Sequence, residues 1–147
     1  PSKVASPNRA RVGADRILDR PGTWKEGPLY TATRAERTIR YAEAAMRELG
    51  SDQPFLVVYY GTDKGGGWQP LSEPLRTVTT LDRFGLVRKV SGKWMLRMLQ
   101  PPELARAMGV PDSHVFPVGS RRDKVKLCGN GICAPVMQEV VRQLVAS

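Results

Sequence analysis

The chain has 147 residues, 41% of them apolar, enough to bury one modest core. Its 23 basic and 14 acidic residues give a net charge of +9 and a pI near 10.1, which favours a polyanionic partner, nucleic acid first. No apolar run approaches the roughly 18 residues of a membrane span, and the start, PSKVASPNRARVG, holds no apolar secretory region, so an intracellular protein with no membrane partner is expected.

The first residue is Pro1 and not methionine, so further sequence is expected upstream. Basic residues outnumber acidic ones by 10 to 6 over 1–50, 7 to 4 over 51–100 and 6 to 4 over 101–147, an excess spread along the chain and not gathered in a tail. Residues 1–29 carry Pro1, Pro7, Pro21 and Pro28 among scattered arginines, which predicts an extended basic arm or linker with at most a short helix around Arg11–Leu18. Within 30–53, in TATRAERTIRYAEAAMRELG, the residues Ala35, Ile39, Ala42, Met46 and Leu49 recur at three- and four-residue steps. Thr33 and Glu36 offer a capping box and Gly50 a stop, so a helix is predicted.

FLVVYYG, Phe55 to Gly61, is a β-branched and aromatic run closed by glycine and predicts a buried strand. The loop TDKGGGWQPLSEP follows, and its Gly65–Gly67 run precedes no helix. LRTVTTLD, FGLVRKV and KWMLRML then alternate polar and apolar residues, with Ser91-Gly92 as a tight turn between the last two, so a small antiparallel β domain over 54–100 is predicted. In 101–147, PPELARAMG has prolines suited to a first helical turn and ends at Gly109. A loop through Arg121 and Arg122 leads to CGNGICAPVMQEVVRQLV, whose helix carries Val136, Val140, Val141 and Leu144 on one side.

The stretch CGNGICAP, Cys128 to Pro135, admits several chemistries. Cys128 and Cys133 are separated by four residues and His114 is the only histidine, which leaves a structural zinc site short of ligands, so no metal is expected. A redox pair wants Cys-x-x-Cys at a helix start, and buried or half-buried thiols fit this spacing better. A dinucleotide-type phosphate loop fails here at its third glycine. The order strand, glycine turn, helix is still expected, and backbone N–H groups at such a turn can face a ligand closely. A sharp turn with no ligand fits the same residues.

RMLQPPELARAMGVPD, Arg97 to Asp112, has the order Arg-x-Leu-x-x-x-Glu-x-x-Arg-x-x-Gly-x-Pro, and KLCGNGICAPVMQEVV follows it. This resembles the C-terminal end of DNA cytosine-5 methyltransferases, whose ninth and tenth motifs stand in this order. Met108 replaces a frequent glutamine, Val110 an aromatic, and Gly131-Ile132 an Ala-Val pair. The resemblance covers residues 30–147 and only weakly 1–29. It implies an α/β fold, the C-terminal portion of a Rossmann-like methyltransferase with a small antiparallel β recognition domain. The catalytic sheet would be largely missing, and residues 101–147 would return to the catalytic domain. The family's glycine-rich cofactor motif, Pro-Cys nucleophile and Glu-Asn-Val motif lie N-terminal to these blocks, and nothing here matches them; no proline precedes a cysteine. Methyl transfer of this kind needs a thiolate to attack C6 of a flipped cytosine. No catalytic residue is therefore assigned, and neither Cys128 nor Cys133 is taken as the nucleophile.

By the same resemblance, Gly129, Asn130 and Gly131 line the S-adenosylmethionine pocket from its far side. Arg97, Glu103 and Arg106 brace the catalytic domain to the recognition domain, and charges beside Leu99, Leu104 and Met108 in any case require partners. Double-stranded DNA is assigned to Arg76, Thr77, Thr79, Thr80, Arg83, Arg88 and Lys89, with Thr80-Leu81 as the family's Thr-Leu pair; arginine reads guanine, while threonine and lysine chiefly hold phosphates. Arg121, Arg122, Lys124 and Lys126 form a second basic stretch suited to phosphate contact or open surface. The expected function is the C-terminal portion of a DNA (cytosine-5-)-methyltransferase of the restriction-modification kind. It would be inactive without its N-terminal catalytic half, in cis or trans, and would work in the cytoplasm of a bacterium or at the nucleoid of a phage-infected host. The alternative is a non-catalytic, sequence-selective DNA-binding module.

Overall fold

The alternation in FLVV puts Phe55 and Val57 on one face of a strand and Leu56 and Val58 on the other, and both faces are covered. A computed structural model describes residues 11–60 and 66–146 of the chain. It begins with a 3-10 turn, Ala14–Ile17, and the edge strand β1, Gly27–Pro28. Helix α1, Glu36–Leu49, and strands β2, Phe55–Val58, and β3, Gly67–Pro70, follow. The hairpin β4, Phe84–Val90, and β5, Lys93–Met98, leads to α2, Pro101–Ala107, α3, Arg121–Asn130, and α4, Ala134–Val145. The strands form one five-stranded sheet in the order β1-β5-β4-β2-β3, with every pairing antiparallel.

One face of the sheet packs Phe55, Val57, Val87 and Leu96 against Tyr41, Ala42 and Ala45 of α1. The opposite face packs Leu56, Val58, Phe84 and Leu86 with Leu99, Leu104 and Ala105 around α2, Val125 and Cys128 of α3, and Ala14 and Ile17 of the 3-10 turn. The sheet is thus a middle layer between helices, with strand β4 at its centre. Helices α2 and α3 share one core with the strands on the face opposite α1.

Several expectations meet the structure directly. The β4–β5 turn has Ser91 at φ 49° and Gly92 at φ 77°, both in the left-handed region that a two-residue hairpin requires. Helix α1 ends at Gly50, whose N–H donates to the Met46 carbonyl over 3.1 Å. Its cap, however, is Ala35, and the Thr33–Glu36 box is absent, because Glu36 is the first helical residue and not the third.

Other expectations are corrected. LRTVTTLD is not a strand: side chains take the backbone groups that a ladder would use. Gln69 donates to the Pro74 carbonyl over 3.1 Å and accepts from the Arg76 N–H over 3.3 Å, and the Tyr60 hydroxyl donates to the Thr77 carbonyl over 2.7 Å. The glycine loop, Thr62 to Pro74, contains β3 within it; its part up to Gly65 lies outside the described residues, as do the first ten residues of the expected arm. The described part of that arm is docked. Ala14 and Asp15 donate backbone hydrogen bonds to Glu73 and Leu71, 2.8 and 3.0 Å, and Gly27–Pro28 extends the sheet beside β5.

The expected order strand, glycine turn, helix around CGNGICAP is in fact helix, turn, helix. Gly129 and Asn130 close α3, Gly131 caps it, and α4 starts at Ala134. The loop expected through Arg121 and Arg122 is the start of α3, capped reciprocally by Ser120 and Asp123. Helix α4 carries its valine side uncovered: none of its described residues is buried.

Candidate functional site

A carboxylate taken out of water needs its lone pairs filled, and Glu103 shows how this chain does it. Glu103 is fully buried in the first turn of α2. Its two oxygens accept from Nη1 and Nη2 of Arg97, each at 2.7 Å, a bidentate pair between α2 and strand β5. The backbone N–H groups of Gln100, at 2.8 Å, and Asp19, at 2.9 Å, complete the shell. Burial alone would raise the Glu103 pKa, but the Arg97 hydrogen bonds and the two backbone donors outweigh it and hold the carboxyl below its ordinary range.

Arg106, the third expected member, is paired elsewhere than with Glu103. It pairs through both terminal nitrogens with Asp19 and sits 3.4 Å from Asp112. Asp19 also accepts from the Trp24 indole N–H over 2.7 Å. Glu26 takes Arg88 in a further bidentate pair, 2.5 Å at the closest, and lies 3.7 Å from Arg97. The charged network therefore has two acidic members from the N-terminal segment, Asp19 and Glu26, that sequence reasoning did not find. Their partners lie 87 and 62 residues away, and no local pattern marks them.

The residues assigned to DNA separate into two groups. Arg88 and Lys89 lie on β4 and are engaged: Arg88 by Glu26, Lys89 by Asp52 at 2.5 Å and by the Trp94 ring, 5.3 Å away. Arg76, Thr77, Thr79, Thr80 and Arg83 instead lie on the irregular segment between β3 and β4. Arg76 and Thr77 are exposed there. Arg76 donates to the Trp68 carbonyl over 3.4 Å and Arg83 to the Tyr59 carbonyl over 2.7 Å. Burial raises the Tyr60 pKa against the opposing charges of Arg76 and Arg83, so the phenol stays a donor to Thr77. The structure thus gathers five of the seven residues on one loop and leaves Arg88 and Lys89 on the sheet.

The Gly129, Asn130, Gly131 set also divides. A Cβ on Gly129 would fall 2.2–2.4 Å from the backbone C and O of Thr79 and N of Thr80, so packing against that loop occupies the side of Gly129 where a side chain would stand. Asn130 and Gly131 are exposed, and a Cβ on Gly131 would meet nothing closer than 3.3 Å. These two can border a cofactor; the packed side of Gly129 cannot. Cys128 is buried, with its Sγ 3.7 Å from the Pro101 carbonyl, and burial raises its pKa, which keeps it a thiol and not a nucleophilic thiolate. Among the described residues no group of three or more His, Cys, Asp or Glu side chains can hold a metal, and no helix is long and apolar enough to cross a membrane.

A model of the C-5 cytosine-specific DNA methylase family matches residues 18–146. No curated protein and no solved structure matches the chain.

Proposed function

Because the chain belongs to the C-5 cytosine-specific DNA methylase family, whose members act on DNA, we propose that it is the C-terminal portion of such a methyltransferase. In this reading it contributes DNA target recognition and completes the catalytic domain, and it is inactive alone. The carrying observation is α4. Val136, Val141 and Leu144 are 60, 49 and 61% exposed, although the rest of the fold closes both faces of its sheet. An amphipathic helix with a bare apolar side favours a partner, and in this reading that partner brings the Pro-Cys that this sequence does not contain. The catalytic half would cover α4 and carry the thiolate.

Within this reading the residues act by binding and positioning. S-adenosylmethionine supplies the methyl group when bound, and Asn130 and Gly131 would border it at the end of α3. The Arg76–Arg83 loop meets the duplex, its arginines offering donors to guanine edges or phosphates and its threonines to phosphates. Arg97, Glu103, Asp19 and Arg106 hold the strand β5, α2 and the N-terminal segment as one body behind that loop.

The DNA assignment is tested by fluorescence-anisotropy titration of a labelled duplex at several salt concentrations. Log affinity should fall linearly with log salt, and Arg76→Ala should flatten that slope by about 1 if Arg76 holds a phosphate. Salt-independent binding, or a slope unaltered by substitution at both Arg76 and Arg83, would count against this face.

A further inference from the structure

Residues 75–83 form no strand, so their position depends on contacts from outside the segment. Tyr60 and Gln69 hold its first half. The second half, Thr79 to Asp82, lies along α3 and is held near both ends of that helix. At the helix start, Arg121 makes a bidentate pair with Asp82, one arm at 3.0 Å, and donates to the Leu99 carbonyl over 2.8 Å and to Gln100 over 3.0 Å. In its last turn, Gly129 lets the Thr79–Thr80 peptide come so close that any Cβ would overlap it at 2.2–2.4 Å. Backbone is the obstacle, so a side chain there must displace the loop or the helix.

The helix itself is anchored. Ser120 and Asp123 cap it, and Val125 and Cys128 bury its inner side in the core below the sheet. Arg121 reaches Leu99, at the end of the hairpin, so the loop's anchor is tied to the region of the charged network. Leu81, between the two anchors, keeps its side chain about half exposed at 48%. The loop therefore presents a fixed outer surface whose register is set from behind by α3.

We infer that α3 is a positioning element for DNA recognition. Asp82, Arg121 and Gly129 set the placement of Thr79, Thr80 and Leu81 on the duplex through the contacts that hold the loop to α3. This rests on the reading that the loop meets DNA. It also gives Gly129 a role other than lining a cofactor pocket.

The test uses the full chain with Asp82→Ala, a mild surface change, and Gly129→Ala, a harsher one. Binding to the preferred duplex and to a scrambled duplex is measured, together with amide hydrogen exchange across the chain. Both variants should keep the exchange protection of Leu56 and Val87 in the sheet while exchange at residues 79–82 accelerates. Preference for the best duplex should fall about tenfold, the size of one mismatched base pair. If Gly129→Ala does not fold, Asp82→Ala alone carries the test. Unchanged preference in a folded variant, with the unsubstituted chain binding DNA, would overturn the positioning role alone. If the unsubstituted chain does not bind duplex DNA, the DNA reading falls and the inference falls with it.

Discussion

Glu103→Ala is expected to destabilise the chain by about 3–5 kcal/mol, because it leaves the Arg97 guanidinium buried without its counter-charge. Domains of this kind hold roughly 5–15 kcal/mol in all, so the loss is a large fraction of the total. The backbone N–H groups of Asp19 and Gln100 also lose their acceptor, which loosens the start of α2 and the docked N-terminal segment together. Thermal unfolding followed by circular dichroism should show a midpoint roughly 10 °C lower. Removing both charges by Arg97→Met with Glu103→Leu should cost far less, since no buried charge then lacks a partner. A change below about 1 kcal/mol for Glu103→Ala would contradict the buried pairing.

The same pair fixes a pH dependence. Glu103 is held below its ordinary value of 4.5 in the folded chain, so the unfolded chain takes up its proton first. The stabilisation is fully present above about pH 4.5 and is lost as pH falls through the lower folded value. Acid unfolding should accordingly be steeper in the unsubstituted chain than in the Arg97→Met, Glu103→Leu variant.

The second large effect concerns α4. Val141→Glu with Leu144→Glu should leave the chain's own unfolding midpoint nearly unchanged, within about 0.5 kcal/mol per position, since both side chains face water. In the assembled enzyme the same two changes place carboxylates in a buried apolar contact, and methyl transfer should drop to background. The contrast between an unaffected chain and a dead enzyme distinguishes a docking face from a solvated helix. Loss of the chain's own stability would instead show that α4 packs on the fold described above.

Much of this was legible from local pattern. Helix α1, strand β2, the hairpin and α2 each carry a full set of cues: a stepwise apolar stripe, a β-branched run, a Ser-Gly turn, and prolines at a helix start. Helix α3 was missed because RRDKVKLCGN shows only Val125 and Cys128 to the core, too few for a stripe, although Ser120 and Asp123 stood at capping distance. Strand β3 was hidden by its glycine and proline, which an edge position tolerates. LRTVTTLD misled for the opposite reason, since its alternation lacks a partner strand once Gln69 and Tyr60 take its backbone groups.

At the site, charges set among leucines announced the need for partners at Arg97 and Glu103. What those residues could not announce is that Arg106 answers to Asp19, or that Glu26 serves both Arg88 and Arg97. Such pairings depend on topology, in which a segment from the chain's start returns to the sheet edge as β1. The two roles of the GNG turn were likewise inseparable in sequence. Only the approach of Thr79 and Thr80 assigns Gly129 to packing and leaves Asn130 and Gly131 open.

The most direct test of the account is transfer of a radiolabelled methyl group from S-adenosylmethionine to duplex DNA, measured for this chain alone and together with a separately supplied catalytic half that carries a Pro-Cys nucleophile. The account predicts no transfer by the chain alone and transfer to cytosine C5 when both parts are present. Transfer by the chain alone, or none with a folded half that carries the Pro-Cys nucleophile, would contradict it.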